Sequence, residues 1–323
     1  MIKVLSIDGG GIRGVIPALV LTEIEKRTNR PISKLFDLIA GTSTGGIIAL
    51  GLTRPNELGE PKYSAAQIVD LYAKNGTRIF SRSIWHRTRA MGSLLEEKYP
   101  AEEVEEVLDE YFGETLLHEA LTNVLVTAYE IERRIPWFFS SRDAATNPSY
   151  DFPMKKVARA TSAAPTYFEP LKLETDGTVD YWALVDGGVY ANNPTLCGLV
   201  EAKKELGDDD VLVVSLGTGE LTRRIPYEEA KDWGLVGWAR PILDVVFDGV
   251  SDTVDFQAQQ LCGEGRYYRF QATLDIGNDD MDDASATNIH ALRLLANNVI
   301  DDRGDELEAV CAALTAEVAA GVP

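Results

Sequence analysis

A chain of 323 residues, 45% hydrophobic and 25% charged, is long enough to bury one large α/β core or two modest domains. Its formal net charge of -20 argues against nucleic acid as a partner and against tight electrostatic binding to anionic membranes. No run approaches the ~20 apolar residues of a membrane span, and the three scattered cysteines, Cys197, Cys262 and Cys311, suggest neither a disulfide framework nor a metal site. With no charged segment leading into an apolar run at the start, a cytoplasmic location is expected.

Residues 4–7 read as a buried strand, followed by Asp8-Gly9-Gly10-Gly11-Ile12-Arg13-Gly14 and a helix over 15–28. Consecutive glycines let backbone N–H groups converge on one point, a cradle for a phosphate or for a transient oxyanion. Gly9, Gly11 and Gly14 satisfy the G-x-G-x-x-G spacing of dinucleotide sites. Such a site next needs an acid about 20 positions on, ending a second strand. Thr28-Asn29-Arg30-Pro31 stands there instead, a turn, so the oxyanion reading is preferred.

The second strand, over 37–40, runs into Gly41-Thr42-Ser43-Thr44-Gly45 and then a helix over 45–52. Glycines on both sides allow a sharp turn that projects the Ser43 hydroxyl at a helix N-terminus, the placement of a nucleophile. A helix over 65–73 follows. From 71 to 95 no acid occurs, while Lys74, Arg78, Arg82, Arg87 and Arg89 alternate with apolar residues such as Phe80, Trp85 and Met91. A surface loop with core-facing apolar residues is preferred there over contact with lipid headgroups.

A helix over 101–111, strands over 124–130 and 137–140, and a helix over 155–161 come next. A strand over 182–185 ends at Asp186-Gly187-Gly188, which taken alone is a turn. Beyond a helix over 195–206 and a strand over 211–216, residues 221–323 read as mostly helical, with one strand over 267–272. Trp233-Gly234-Leu235-Val236-Gly237-Trp238 reads as a core segment or a flap. The acidic runs 208–210 and 279–283 lack EF-hand spacing, so no metal is expected. The alternation predicts an α/β/α three-layer sandwich with a mainly parallel central sheet. The chain reads as one domain, 1–323, with its motifs in 3–220.

Together the three glycine-rich motifs resemble those of the patatin-like phospholipases, a family of lipid acyl hydrolases. The likeness continues in Ala160-Thr161-Ser162-Ala163-Ala164-Pro165-Thr166-Tyr167-Phe168, Asn192-Asn193-Pro194 and Ser215-Leu216-Gly217-Thr218-Gly219. It implies a catalytic dyad without histidine or cofactor: Ser43 as nucleophile and Asp186 as general base. The amides of Gly9, Gly10, Gly11, Ile12 and Arg13 are implied as the oxyanion hole, with Gly14, Gly41, Gly45, Gly187 and Gly188 as motif glycines. Arg13 is read as orienting the glycine loop or screening charge. The implied substrate is a phospholipid or lysophospholipid at a membrane surface.

The mechanistic rival is a triad in the order Ser43, Asp186, His290. His290 lies in a helical stretch, and His86 and His118 read as surface or core histidines, so the dyad is expected. A narrower likeness, through Gly249-Val250-Ser251-Asp252-Thr253-Val254-Asp255, is to bacterial antiviral effectors activated by a cyclic nucleotide. The reading from another class is a non-catalytic lipid or nucleotide binder, which has no need of Ser43, Asp186 and the glycine turn together.

Overall fold

The computed structural model describes residues 1–79, 99, 101–175, 180–207, 210–238 and 241–316. Eight strands form one sheet: β1 (Ile2–Ile7), β2 (Leu38–Thr42), β3 (Asn123–Glu130), β4 (Ile135–Ser140), β5 (Leu171–Glu174), β6 (Tyr181–Asp186), β7 (Val211–Leu216) and β8 (Tyr267–Phe270). Among the described residues, the helices of seven residues or more are α1 (Val15–Thr28), α2 (Thr44–Thr53), α3 (Ala65–Ile79), α4 (Ala101–Phe112), α5 (Met154–Thr161), α6 (Thr195–Glu201), α7 (Pro241–Leu261), α8 (Ala286–Asp302) and α9 (Gly304–Thr315).

The parallel heart of the sheet runs β3-β2-β1-β7-β8. Its strands read as continuous apolar runs because both faces are covered. Side chains alternate between faces. Val4, Leu38, Ala40 and Val213 pack with Leu199 of α6, while Leu5, Ile7, Ile39 and Val214 join the larger core with Val20, Leu21 and Ile24 of α1. On that side α1 packs against α3, α8 and α9, and α7 lies over α6 on the other. The result is the expected α/β/α sandwich.

The strands expected in the motif-bearing part are all present, within two residues at either end. One strand was missed: β5, four residues whose Leu171 and Leu173 are buried and whose Lys172 and Glu174 are exposed. A run this short gives too little alternation to stand out. The helix expected over 195–206 changes at Ala202 to a π-helical turn, which Gly207 ends in the left-handed region at φ 74°.

Strand register sets the position of the glycine motifs. β4 pairs antiparallel along one edge of β3, from Leu125 to Glu130. The other edge is shared: β2 follows it in parallel as far as Thr42 opposite Thr127, and β6 meets it antiparallel with Asp186 opposite Ala128. The ends of β2 and β6 therefore meet at adjacent residues of one strand. Ser43 and Asp186, 143 positions apart in the chain (186 minus 43), become neighbours by register alone.

At the end of β1, the buried Asp8 carboxylate accepts two hydrogen bonds from Arg269 of β8, at 3.0 and 2.6 Å, and one from Ser251 of α7 at 3.0 Å. Burial pushes the Asp8 pKa up, and the facing guanidinium opposes that push. Removing one partner of such a pair leaves an uncompensated charge. We expect Arg269→Met to cost about 3–5 kcal/mol in urea denaturation. Adding Asp8→Asn to it should recover part of that loss.

Candidate active site

Ser43 joins β2 to α2 with φ 55° and ψ −123°. Non-glycine residues rarely adopt a positive φ, so the surroundings must hold it. The Ser43 N–H donates to Thr161 Oγ1 at 2.8 Å, and the Thr161 hydroxyl donates to the Thr127 carbonyl at 2.7 Å, tying the turn to β3. A Cβ on Gly45 would stand 2.1 Å from the Ile7 carbonyl oxygen, so only glycine lets α2 pass the end of β1 this closely. The turn places the Ser43 hydroxyl at the N-terminus of α2, where the helix dipole favours developing negative charge.

The Asp186 carboxylate lines the same cavity as Ser43. Its Oδ1 accepts the Gly188 N–H at 2.7 Å, and the Asp186 N–H donates to the Ala163 carbonyl at 3.0 Å. The carboxyl is fully buried, and burial raises its pKa to about 7, against the opposing pull of the Ser43 and Gly188 hydrogen bonds. Ser43 and Asp186 share a largely apolar cavity of about 70 Å³, walled by Ile47, Tyr72, Phe168 and Phe247. An ionised carboxylate shielded in this way is a much stronger base than one in water.

The glycine turn faces them across the cavity, but its five expected amides are not equivalent. The Gly9 N–H is taken by the Asn192 carbonyl at 3.0 Å, the Ile12 N–H by the Met281 carbonyl at 2.9 Å, and the Arg13 N–H by the Gly10 carbonyl at 3.2 Å. The Gly10 and Gly11 amides, among the described residues, have no protein acceptor, and both glycines line the cavity. Their direction follows from peptide planarity, since N–H and C=O of a trans peptide point opposite ways. The Gly9 carbonyl accepts from Thr218 Oγ1 at 2.6 Å, which turns the Gly10 N–H away from Thr218. The Gly10 carbonyl accepts from Arg13 Nε at 3.3 Å, which turns the Gly11 N–H away from Arg13. Arg13 itself is buried.

Several of these partners escaped the reading of the sequence. Thr161 and Ala163 belong to a recognised motif, yet their function is to fix the Ser43 turn and β6. Thr218 and Asn192 likewise occupy motif positions whose hydrogen bonds depend on strands packed side by side. Tyr72 of α3, whose hydroxyl donates to the Thr44 carbonyl at 3.1 Å, was legible only as an apolar helix position.

His290 is exposed on α8 and does not line the Ser43 cavity. His118 pairs on the surface with Asp151 at 2.6 Å, and His86 lies outside the described residues, as do Phe80, Arg82, Trp85, Arg87, Arg89 and Met91 of the basic segment. Trp233 and Gly237 line a second cavity of about 520 Å³ that shares Tyr167 with the first. In the acidic run 279–283, Asp279 accepts the Arg223 N–H at 2.8 Å and Asp283 accepts the Ser285 N–H at 3.0 Å. Residues 249–255 lie in α7, where Ser251 serves Asp8 and Asp255 accepts from the Tyr267 hydroxyl at 2.7 Å.

The raised Asp186 pKa has a consequence for stability. A carboxyl whose folded pKa exceeds its unfolded one burdens the native state above the folded value, and that burden lifts as pH falls through it toward the unfolded value. We therefore expect Asp186→Asn to unfold at higher urea than wild type at pH 8, by the order of 2–4 kcal/mol, with the gap closing toward pH 4. An equal or lower midpoint at pH 8 contradicts a buried, ionised Asp186.

A sequence profile of the family described as Patatin-like phospholipase matches residues 5–196. Patatin-like protein 4 of Arabidopsis thaliana is 34% identical over 93% of this chain and 84% of its own length, and Patatin-like protein 2 of the same plant is 34% identical over 95% and 83%. A Solanum tuberosum protein named "Probable inactive patatin-3-Kuras 1" is 33% identical over 93% of this chain and 86% of its own. The solved structure of VipD from Legionella pneumophila covers 92% of this chain and 67% of that one at 12% identity, with a TM-score of 0.37, too low to bear on the fold. On the profile and the plant relatives, the chain belongs to the patatin-like phospholipase family.

Proposed function

We propose that the protein is a serine lipid acyl hydrolase of the phospholipase A or lysophospholipase type, working through a Ser43–Asp186 dyad and an acyl-enzyme. Membership of the family supports lipid acyl hydrolysis in general. It does not decide turnover by itself, since one relative is named inactive. The observation that carries the reading is Ser43 sharing one small apolar cavity with a fully buried carboxyl whose pKa burial raises to about 7. A structural turn has no use for an ionisable group held at that cost.

In this reading Ser43 Oγ attacks the ester carbonyl as Asp186 takes its proton. The Gly10 and Gly11 N–H groups stabilise the oxygen that becomes negative. Asp186 then hands the proton to the leaving alcohol and the acyl-enzyme forms. In the second half, Asp186 takes a proton from water, the hydroxide adds to the acyl carbon, and Ser43 leaves with the proton returned. The chain's own residues complete the cycle, with no cofactor called on. The apolar walls at Phe168 and Phe247 suit the first carbons of a fatty chain.

The test is hydrolysis of p-nitrophenyl butyrate and of a phospholipid. Ser43→Ala and Asp186→Asn should abolish both, and His290→Ala should stay within twofold of wild type. Loss of activity in folded His290→Ala would replace the dyad by a triad. The rate should fall about tenfold per pH unit below roughly 7, because only ionised Asp186 accepts the proton. If the reading of the glycine turn is right, Thr218→Val lowers kcat about tenfold with little change in KM, and Thr218→Ser restores it; full removal of an oxyanion donor costs ~10²–10³.

A further inference from the structure

We propose that the surface formed by residues 225–238 and 241–245 docks on a zwitterionic lipid surface and is the side from which lipid reaches Ser43; this rests on the acyl-hydrolase reading above. Large apolar side chains are concentrated there in the open. Leu235 is 93% exposed, Tyr227 76%, and Ile242 and Val245 43% each. Val245 lines the 520 Å³ cavity with Ile225 and Trp233, and Tyr227 and Ile242 directly follow the lining residues Pro226 and Pro241 in the chain.

That cavity adjoins the nucleophile. Tyr167 walls both spaces, and α7 links them, since Val245 lines the outer cavity and Phe247 the inner. At about 70 Å³ the inner cavity takes the reacting ester and a few methylenes, not a headgroup or a second chain. The remainder of a lipid must lie outside it. The adjoining outer cavity offers that space, and its wall mixes charged residues with the aromatic Tyr167 and Trp233. Tyr and Trp at a polar–apolar boundary are suited to the headgroup level of a bilayer.

Charge selects the kind of surface. The outer cavity is lined by Arg223 and Arg224 against Glu229, Asp244, Asp248, Asp280 and Asp282. This face is acidic, like the chain as a whole with its net charge of -20, and with Tyr167 and Trp233 beside the carboxylates it suits the choline ammonium of a zwitterionic headgroup. It gains nothing from anionic headgroups, and the rest of the molecule repels them. Phosphatidylcholine is the matching surface.

The test separates docking from chemistry. Full-length Ser43→Ala, which cannot turn over its target, is cosedimented with phosphatidylcholine and with phosphatidylglycerol vesicles. We expect binding to phosphatidylcholine that is at least as tight as to phosphatidylglycerol. Adding Leu235→Ser and Ile242→Ser should weaken it tenfold or more, and Leu235→Trp in place of the serine should recover part of the loss. In the active protein the same serine pair should leave p-nitrophenyl butyrate hydrolysis within twofold while slowing hydrolysis of vesicular phosphatidylcholine. Unchanged vesicle binding by the serine pair, no binding by the parent, or stronger binding to phosphatidylglycerol overturns the proposal. So does a concentration-dependent dimer that the serine pair dissolves, which would make this face a contact between copies of the chain. A wild type silent toward the soluble ester, with vesicle binding intact, would instead sink the catalytic reading and leave the surface standing.

Discussion

Two strands sharing one edge of β3 are the constraint on which the site depends. β2 uses that edge up to Thr127 and β6 uses it from Ala128, so the chain must leave β2 sharply where β6 arrives. The positive φ of Ser43 is the sharp exit, and Asp186 is the arriving end. Catalytic groups carried on two loops would need those loops ordered. Here ladder hydrogen bonds of the sheet fix the separation, and a one-residue slip of β6 would turn the Asp186 side chain to the opposite face.

Two buried carboxylates at the ends of strands are treated in opposite ways. Asp8 faces a guanidinium and a hydroxyl, so its charge is matched. Asp186 receives one backbone N–H and, among the described residues, faces no cation, and its pKa rises to about 7. Matched, a carboxylate is a structural anion that cements β1 to β8. Undermatched, it binds a proton more firmly than an ordinary carboxylate, which is what the proposed exchange with Ser43 and water near neutrality requires. The fold sustains the second only because the first and the core around it stabilise the molecule.

The sandwich was legible because its signals are local. Apolar strand runs, helix spacing and glycines at strand ends all lie within a dozen residues of one another. Ser43 and Asp186 were legible for the same reason, each sitting on a glycine-flanked strand end. The hydrogen bonds that occupy the neighbouring amides and leave Gly10 and Gly11 without a protein acceptor among the described residues were not. They depend on Asn192, Met281 and Thr218, which lie 183, 269 and 209 positions beyond their partners Gly9, Ile12 and Gly9 (192 minus 9, 281 minus 12, 218 minus 9). Tyr72 illustrates the same limit, since helical periodicity places it on a buried face without saying that its hydroxyl reaches Thr44.

The ion pair at Asp8 also bears on how the molecule can be divided. Every motif glycine, Ser43 and Asp186 lie within the matched segment 5–196. That segment, produced alone, would hold Asp8 without Arg269 or Ser251, Gly9 without the Thr218 hydroxyl, and Ile12 without the Met281 carbonyl. Its glycine turn would be missing the contacts that aim it, and β1 would lose β7 from its edge. The helical C-terminal third is thus part of the smallest fragment worth expressing, and a truncation library should find its soluble, active members only where residues up to Met281 are kept.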